Sequence, residues 1–233
     1  MYNFIKAVTF SYDDGIAQDR RLLEIFNTYG MKCTFNLNTG IQAPESFFEI
    51  EKVHIERMEQ EGLAELYQGH EIALHGLTHA SPSEVAQRED LQAALEEEYL
   101  QDARNIERFY GKYPVGMAYA YGDCPDEVVK YLEEIGIRYG RTVKSSYNFE
   151  MPENPMLLEA TCHHNDERLF ELAEKFLAAE GSREHPLLFY VWGHSYEFDV
   201  NDNWDRIEKL CQMLSGREDI FYGTNAQCLH CAQ

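Results

Sequence analysis

The chain has 233 residues, 44% of them hydrophobic, which is enough for a substantial core and fits one domain spanning 1–233. A formal net charge of −21 would repel phosphate backbones and anionic lipid headgroups, so a nucleic-acid or membrane-surface partner is not expected and neutral or cationic substrates fit better. No apolar run is long enough to cross a bilayer, and the opening Met1-Tyr2-Asn3-Phe4-Ile5-Lys6 has no signal-peptide pattern; a cytoplasmic location with six reduced cysteines is the expectation.

In chain order, the branched and aromatic run Ala7-Val8-Thr9-Phe10 closes on Ser11-Tyr12-Asp13-Asp14-Gly15 and reads as a buried strand ending in a turn. Leu22, Ile25, Phe26 and Tyr29 recur at helical spacing, so 17–29 is expected as an amphipathic helix ended by Gly30. A strand over 32–38 follows. Residues 45–67 mix apolar and charged side chains, and only their later part reads as helical. A third strand, 71–74, comes after Gly69. Ser81, Pro82 and Glu84 carry helix-start signals, and one long helix is expected from there to Tyr110, ended by Gly111. Beyond it lie a strand at 115–121, a helix at 126–135 and a strand at 139–143, then a less regular stretch, 144–158. The chain closes with 159–164, a helix at 166–179, an apolar strand at 187–192, a helix at 204–214 and a strand at 220–224. Alternating strands and helices imply an α/β fold with a parallel sheet and outer helices; the count suits an open sheet or a closed barrel equally.

Asp13 and Asp14 stand at the carboxyl end of the first strand, where α/β proteins hold ligands. Adjacent like charges are costly unless a cation or a shared proton relieves them; the competing reading is a helix cap. His75 and His79 are four apart, which brings both imidazoles to one side of a single helical turn. Two nitrogens and one carboxylate suit zinc or a similar divalent ion with a position open for water, which points to catalysis. His194 follows an apolar strand, and His163 and His164 precede a helix that Asn165 or Asp166 would cap. Trp192, Tyr196, Glu197, Phe198 and Trp204 fit a sugar-stacking rim or core packing equally. Cys228 and Cys231 have the spacing of half a zinc knuckle and lack a second half.

Ser11-Tyr12-Asp13-Asp14-Gly15, His75-Gly76-Leu77-Thr78-His79, Tyr119-Ala120-Tyr121-Gly122 and the stretch from Leu187 to His194 come in an order that resembles the successive motifs of the polysaccharide deacetylase family, the NodB-homology, metal-dependent carbohydrate esterases. The resemblance runs from about Val8 to about His194. It implies a distorted (β/α) barrel, and a divalent ion on Asp14, His75 and His79: zinc first, with cobalt, nickel or manganese as alternatives. It further implies Asp13 as general base, His194 as general acid and a backbone N–H near Tyr121 for the oxyanion. Outside those motifs, one of His163 and His164, His164 first, is a candidate for a supporting role. Two positions depart from the family pattern. Gly76 stands where a hydroxyl residue is usual, so support of a ligand would fall to Thr78. Ala118 or Ala120 stands where an arginine is usual. Arg141 is the expected replacement, reaching Asp13 through two parallel hydrogen bonds. The implied activity is removal of an acetyl group from a small N-acetylated sugar or related amide. A catalytically silent carbohydrate-binding protein, or a hydrolase of another non-peptide C–N bond, is the alternative. Oligomeric state is open at this level.

Overall fold

Side-chain alternation along β1 (Lys6–Asp13) lays out the architecture. Val8, Phe10 and Tyr12 pack outward against Leu22, Leu23 and Phe26 of the helix Asp19–Tyr29, while Ala7 faces a second cluster with Tyr139, Tyr190 and Trp192. Every β1 residue is buried. Phe10 has no exposed surface, and cutting it back to Ala would cost about 3–5 kcal/mol.

The computed structural model describes residues 2–231. Along the chain, β1 is followed by β2 (Cys33–Leu37), β3 (Phe47–Ile50), β4 (Val53–Glu56), β5 (Glu71–Leu74), β6 (Gly116–Ala118), β7 (Tyr139–Ser145), β8 (Leu158–Ala160), β9 (Cys162–His163), β10 (Leu187–Gly193) and β11 (Ile220–Tyr222). The main sheet runs β8-β7-β6-β5-β2-β1-β10-β9, with parallel pairing at each step. β11 pairs with Lys6–Val8 at the foot of β1, and β2 pairs higher up, from Phe10 to Asp13. The two ends of this order are one continuous stretch of chain. β8 pairs with β7 and β9 with β10, and Thr161 between them donates its N–H to the Tyr190 carbonyl and accepts from Tyr147 N–H. The sheet therefore curls into a distorted (β/α) barrel whose strand carboxyl ends share one rim.

The barrel interior is partly polar, and several of its groups pair with one another. At the lower end Glu71 accepts from Thr34, Tyr139 and the Ala226 N–H. Toward the rim Asn36 donates to Ser11 and Asp13, and the Arg141 guanidinium lies 4.3 Å from the Trp192 ring centroid. This polar ladder carries the charge of Asp13 into a buried setting without leaving it unpaired.

Several sequence expectations are corrected. Residues 45–67 form the antiparallel β3–β4 hairpin and only a short helix, Leu63–Leu66. The hairpin packs over the loop after β1, through an Ile16–Arg57 bridge and a Met58 N–H to Gly15 carbonyl bond. Exposed residues alternate with the more covered Phe48, Ile50, Val53 and Ile55, but each strand is too short for that alternation to stand out in the sequence. The helix expected from Ser81 to Tyr110 is broken. Pro82–Ala86 is one piece, Asp90 caps a new start at Leu91–Leu95, Glu96–Leu100 is a π-turn, and Gln101–Tyr110 completes it. The strand at 115–121 shortens to β6, because the chain turns through a 3₁₀ segment, Ala120–Gly122, with Tyr121 at φ 59°. The helices expected from 17 and 166 begin at Asp19 and Leu169.

Candidate active site

Asp13 ends β1, and the chain then turns through Asp14 and Gly15, at φ 84° and 62°. Gly15 is required twice over, because a Cβ there would also lie 2.7 Å from the Gln42 amide. The turn separates two adjacent carboxylates that would otherwise repel, and each has its own guanidinium. Asp13 Oδ2 accepts from Arg141 Nη2 at 2.5 Å, and its Oδ1 accepts from Asn36 Nδ2 at 2.7 Å. The arginine makes one bond to Asp13 and gives its Nη1 to the Thr142 carbonyl, so the expected pair of parallel bonds from one fork is instead one bond from each of two residues. Asp14 Oδ1 and its carbonyl both accept from Arg57 Nη1, at 3.1 and 2.9 Å. Burial opposes ionisation of Asp13, but the Arg141 guanidinium, with His194 beside it, outweighs it and holds the carboxyl down to about 2. Asp14 is likewise lowered against its own burial, by His194 and Arg57.

The histidine pair lies on no helical turn. Residues 75–79 form a loop after β5, with Gly76 at φ 83° and His79 at φ 61°, and the two rings meet edge to face at 4.7 Å. Glu98, turned inward by the π-turn, fixes this loop by accepting from the N–H of Thr78, the Thr78 hydroxyl and the N–H of Ala80. Thr78 therefore supports the loop backbone and neither imidazole. Gly76 passes so close to Glu98 that a Cβ would sit 2.7 Å from its carboxylate, which accounts for the absent hydroxyl residue.

His75 Nδ1 donates to the Ala118 carbonyl at 2.7 Å, which leaves the lone pair on Nε2. That buried Nε2 has no hydrogen-bond partner among the described residues. Ligand atoms of Asp14, His75 and His79 lie within 4.8 Å of one another, and burial lowers His79 to about 4, keeping its ring neutral. A deprotonated nitrogen, a neutral imidazole and a carboxylate converge as a divalent cation requires.

A second group with similar residue types does not fit a cation. His163, His164 and Glu197 converge, with Glu197 Oε2 at 3.1 and 2.7 Å from the two Nε2 atoms. The Asn165 N–H donates to His163 Nδ1, so the ring proton is on Nε2, the atom a metal would need bare. Glu197 Oε1 also lies 3.3 Å from His194 Nδ1. Burial works against both charges here. The surrounding imidazoles still hold Glu197 well below the usual carboxylate range, and Glu197, Asp13 and Asp14 lift His194 to about 9. His194 Nε2 points back to the site, 3.8 Å from Asp13 Oδ2.

Asp13, Asp14, His75, His79, Tyr121 and His194 share one cavity of about 370 Å³. Tyr121, at its mouth, holds His79 Nδ1 through its hydroxyl at 3.1 Å. Trp192 and Tyr196 line the cavity, whereas Phe198 and Trp204 are core residues. Arg141 stands just behind Asp13. His164 is fully buried against Tyr12 and is not among the residues that line the cavity. Sequence reasoning missed Arg57, Asn36 and Glu98, and it took Glu197 for a rim residue where the structure pairs it with His163, His164 and His194.

No helix among the described residues is long and apolar enough to cross a membrane. A comparison with curated protein sequences finds no match. Among solved structures, the chain is similar to Puue allantoinase (14% identity, 97% of this chain and 88% of that one, TM-score 0.64). It is also similar to a putative polysaccharide deacetylase from Mycobacterium smegmatis (19%, 97% and 90%, 0.63) and to a family 4 carbohydrate esterase from Streptomyces lividans in complex with acetate (14%, 98% and 96%, 0.60). These likenesses establish the fold. The chain spans 55% and 61% of the length of two other similar structures, a Streptococcus pyogenes deacetylase and an Aggregatibacter actinomycetemcomitans de-N-acetylase. The family model described as polysaccharide deacetylase matches residues 4–140, more than half of the chain and the part that contributes Asp13, Asp14, His75, His79 and Tyr121; the chain belongs to the polysaccharide deacetylase family.

Proposed function

We propose that the protein hydrolyses the acetyl amide of an N-acetylated sugar or a related small amide, using a divalent cation on Asp14, His75 and His79. The observation that carries this reading is the buried, partnerless lone pair of His75 Nε2, aimed at Asp14 and His79 in the cavity that also holds an ionised Asp13. Bound there, a divalent ion, zinc by its donor set, would polarise the acyl carbonyl and make water more acidic.

The chain's own groups supply the rest. Asp13 takes a proton from the attacking water, and its carboxylate is held at both oxygens, by Arg141 and Asn36, so that its free lone pairs keep one orientation. His194, kept protonated by Glu197, gives its proton to the departing nitrogen as the C–N bond breaks, so acetate and an amine are released. A backbone N–H near Tyr121 is the donor for the oxyanion. The aromatic faces of Trp192 and Tyr196 offer the stacking surface that a pyranose ring needs. The test is release of acetate from N-acetylglucosamine oligomers by metal-loaded protein. Turnover that disappears with chelator and returns with zinc supports the reading, and no release from any N-acetyl sugar or small amide sinks it.

A further inference from the structure

Arg57 is not accounted for by the reaction just described. It enters the cavity from the end of the β3–β4 hairpin, is buried to 7% exposure and lies 5.6 Å from the Phe48 ring centroid. Its Nη1 makes both bonds to Asp14, and its remaining N–H groups have no hydrogen-bond partner among the described residues. Those N–H groups are not sealed off from solvent, so they are open to a ligand that enters the cavity. The charges around it point the same way. Of 41 acidic residues in the chain, only Asp13 and Asp14 line the cavity, and Arg141 and Arg57 offset them one for one. A divalent ion on Asp14, His75 and His79 would then leave the cavity net positive inside a protein of net charge −21.

We infer that the substrate carries a carboxylate close to the scissile amide, and that the unused N–H groups of Arg57 bind it. This rests on the deacetylase reading and narrows it: the substrate is an acidic N-acyl compound, contrary to the neutral or cationic substrate that the overall charge suggests. The planar fork of arginine suits a carboxylate, and its attachment to Asp14 places that carboxylate beside the reacting carbonyl. Arg57 is thus a specificity residue contributed by the hairpin.

The experiment compares N-acetylglucosamine with N-acetylmuramic acid, which adds a carboxylate-bearing ether to the same sugar. The wild type should favour the acid by about 10- to 100-fold in kcat/KM, the worth of one charge-assisted hydrogen bond. In Arg57→Gln, kcat should fall for both compounds alike through Asp14, whereas KM should rise only for the acid; Arg57→Lys should recover part of the preference. Equal kcat/KM for the two compounds in the wild type, or a preference unchanged in Arg57→Gln, overturns the inference while leaving the deacetylase reading in place. If neither compound is hydrolysed, calorimetry on metal-free protein decides. Tighter binding of N-acetylmuramic acid than of N-acetylglucosamine, lost in Arg57→Gln, supports the site, and equal binding ends it.

Discussion

Replacing Arg141 by lysine separates orientation of Asp13 from its charge. The pair is deeply buried, with side chains 1% and 3% exposed, so Arg141→Met would strand a carboxylate without its partner and destabilise the fold by about 3–5 kcal/mol. Lysine keeps the positive charge but loses the plane that stacks 4.3 Å from Trp192 and divides its donors between Asp13 and the Thr142 carbonyl. Asp13 would then be fixed at Oδ1 alone, by Asn36. Misorientation should remove part of the 10²–10⁴ attributed to a general base, so turnover should fall about 10- to 100-fold. Asp13 is held at about 2, and loss of a nearby cation raises a carboxyl by about 1–3 units, which still leaves it ionised at neutral pH. The deficit should therefore be constant from pH 6 to 8. The assay is acetate release across that range, alongside metal content and denaturant midpoint. Turnover of Arg141→Lys within twofold of the wild type, or a deficit that vanishes as pH rises, would refute the orienting role.

Asp13→Asn should retain bound metal and lose turnover by roughly 10²–10⁴, and loss of metal with turnover preserved at saturating metal would exchange its role with that of Asp14. Glu197→Gln should shift the alkaline limb of the pH–rate profile to lower pH. Glu197 is the strongest of the groups that lift His194 to about 9, and an acid that loses its proton earlier fails earlier; an unmoved limb would assign that limb to another group. The same shift has a stability counterpart. His194 titrates higher folded than unfolded, so its contribution is full below pH 6.5 and lost as pH rises toward 9, and urea midpoints of wild type against Glu197→Gln should converge over that interval. Glu98→Ala should leave the N–H groups of Thr78 and Ala80 unpaired and weaken metal binding about 10- to 100-fold, and unchanged affinity would show that the loop holds its shape unaided.

What was legible in the sequence followed from strict local patterns. β1 announced itself by its run of branched and aromatic residues, and Asp13 and Asp14 had to fall at its carboxyl end. Arg141 lies two residues after Tyr139 on β7, and both side chains enter the barrel. The hairpin and the π-turn were not legible, and they supply Arg57 and Glu98. The hairpin strands are four residues each, too short for their alternation of exposed and covered side chains to be read as a strand signal. The π-turn depends on one glutamate being drawn inward by loop donors some twenty residues earlier, which no helical pattern records. The histidine spacing was misread for a related reason. Four residues apart suits one helical turn, but Gly76 and His79 adopt left-handed backbone, and the rings converge through a loop.

Zinc titration of chelator-stripped protein, followed by calorimetry, reads out the site formed by Asp14, His75 and His79 itself. One tight site per chain is expected in the wild type, absent in Asp14→Ala, His75→Ala and His79→Ala and intact in His163→Ala. Tight zinc binding that survives loss of His75, or that disappears with His163, would contradict it.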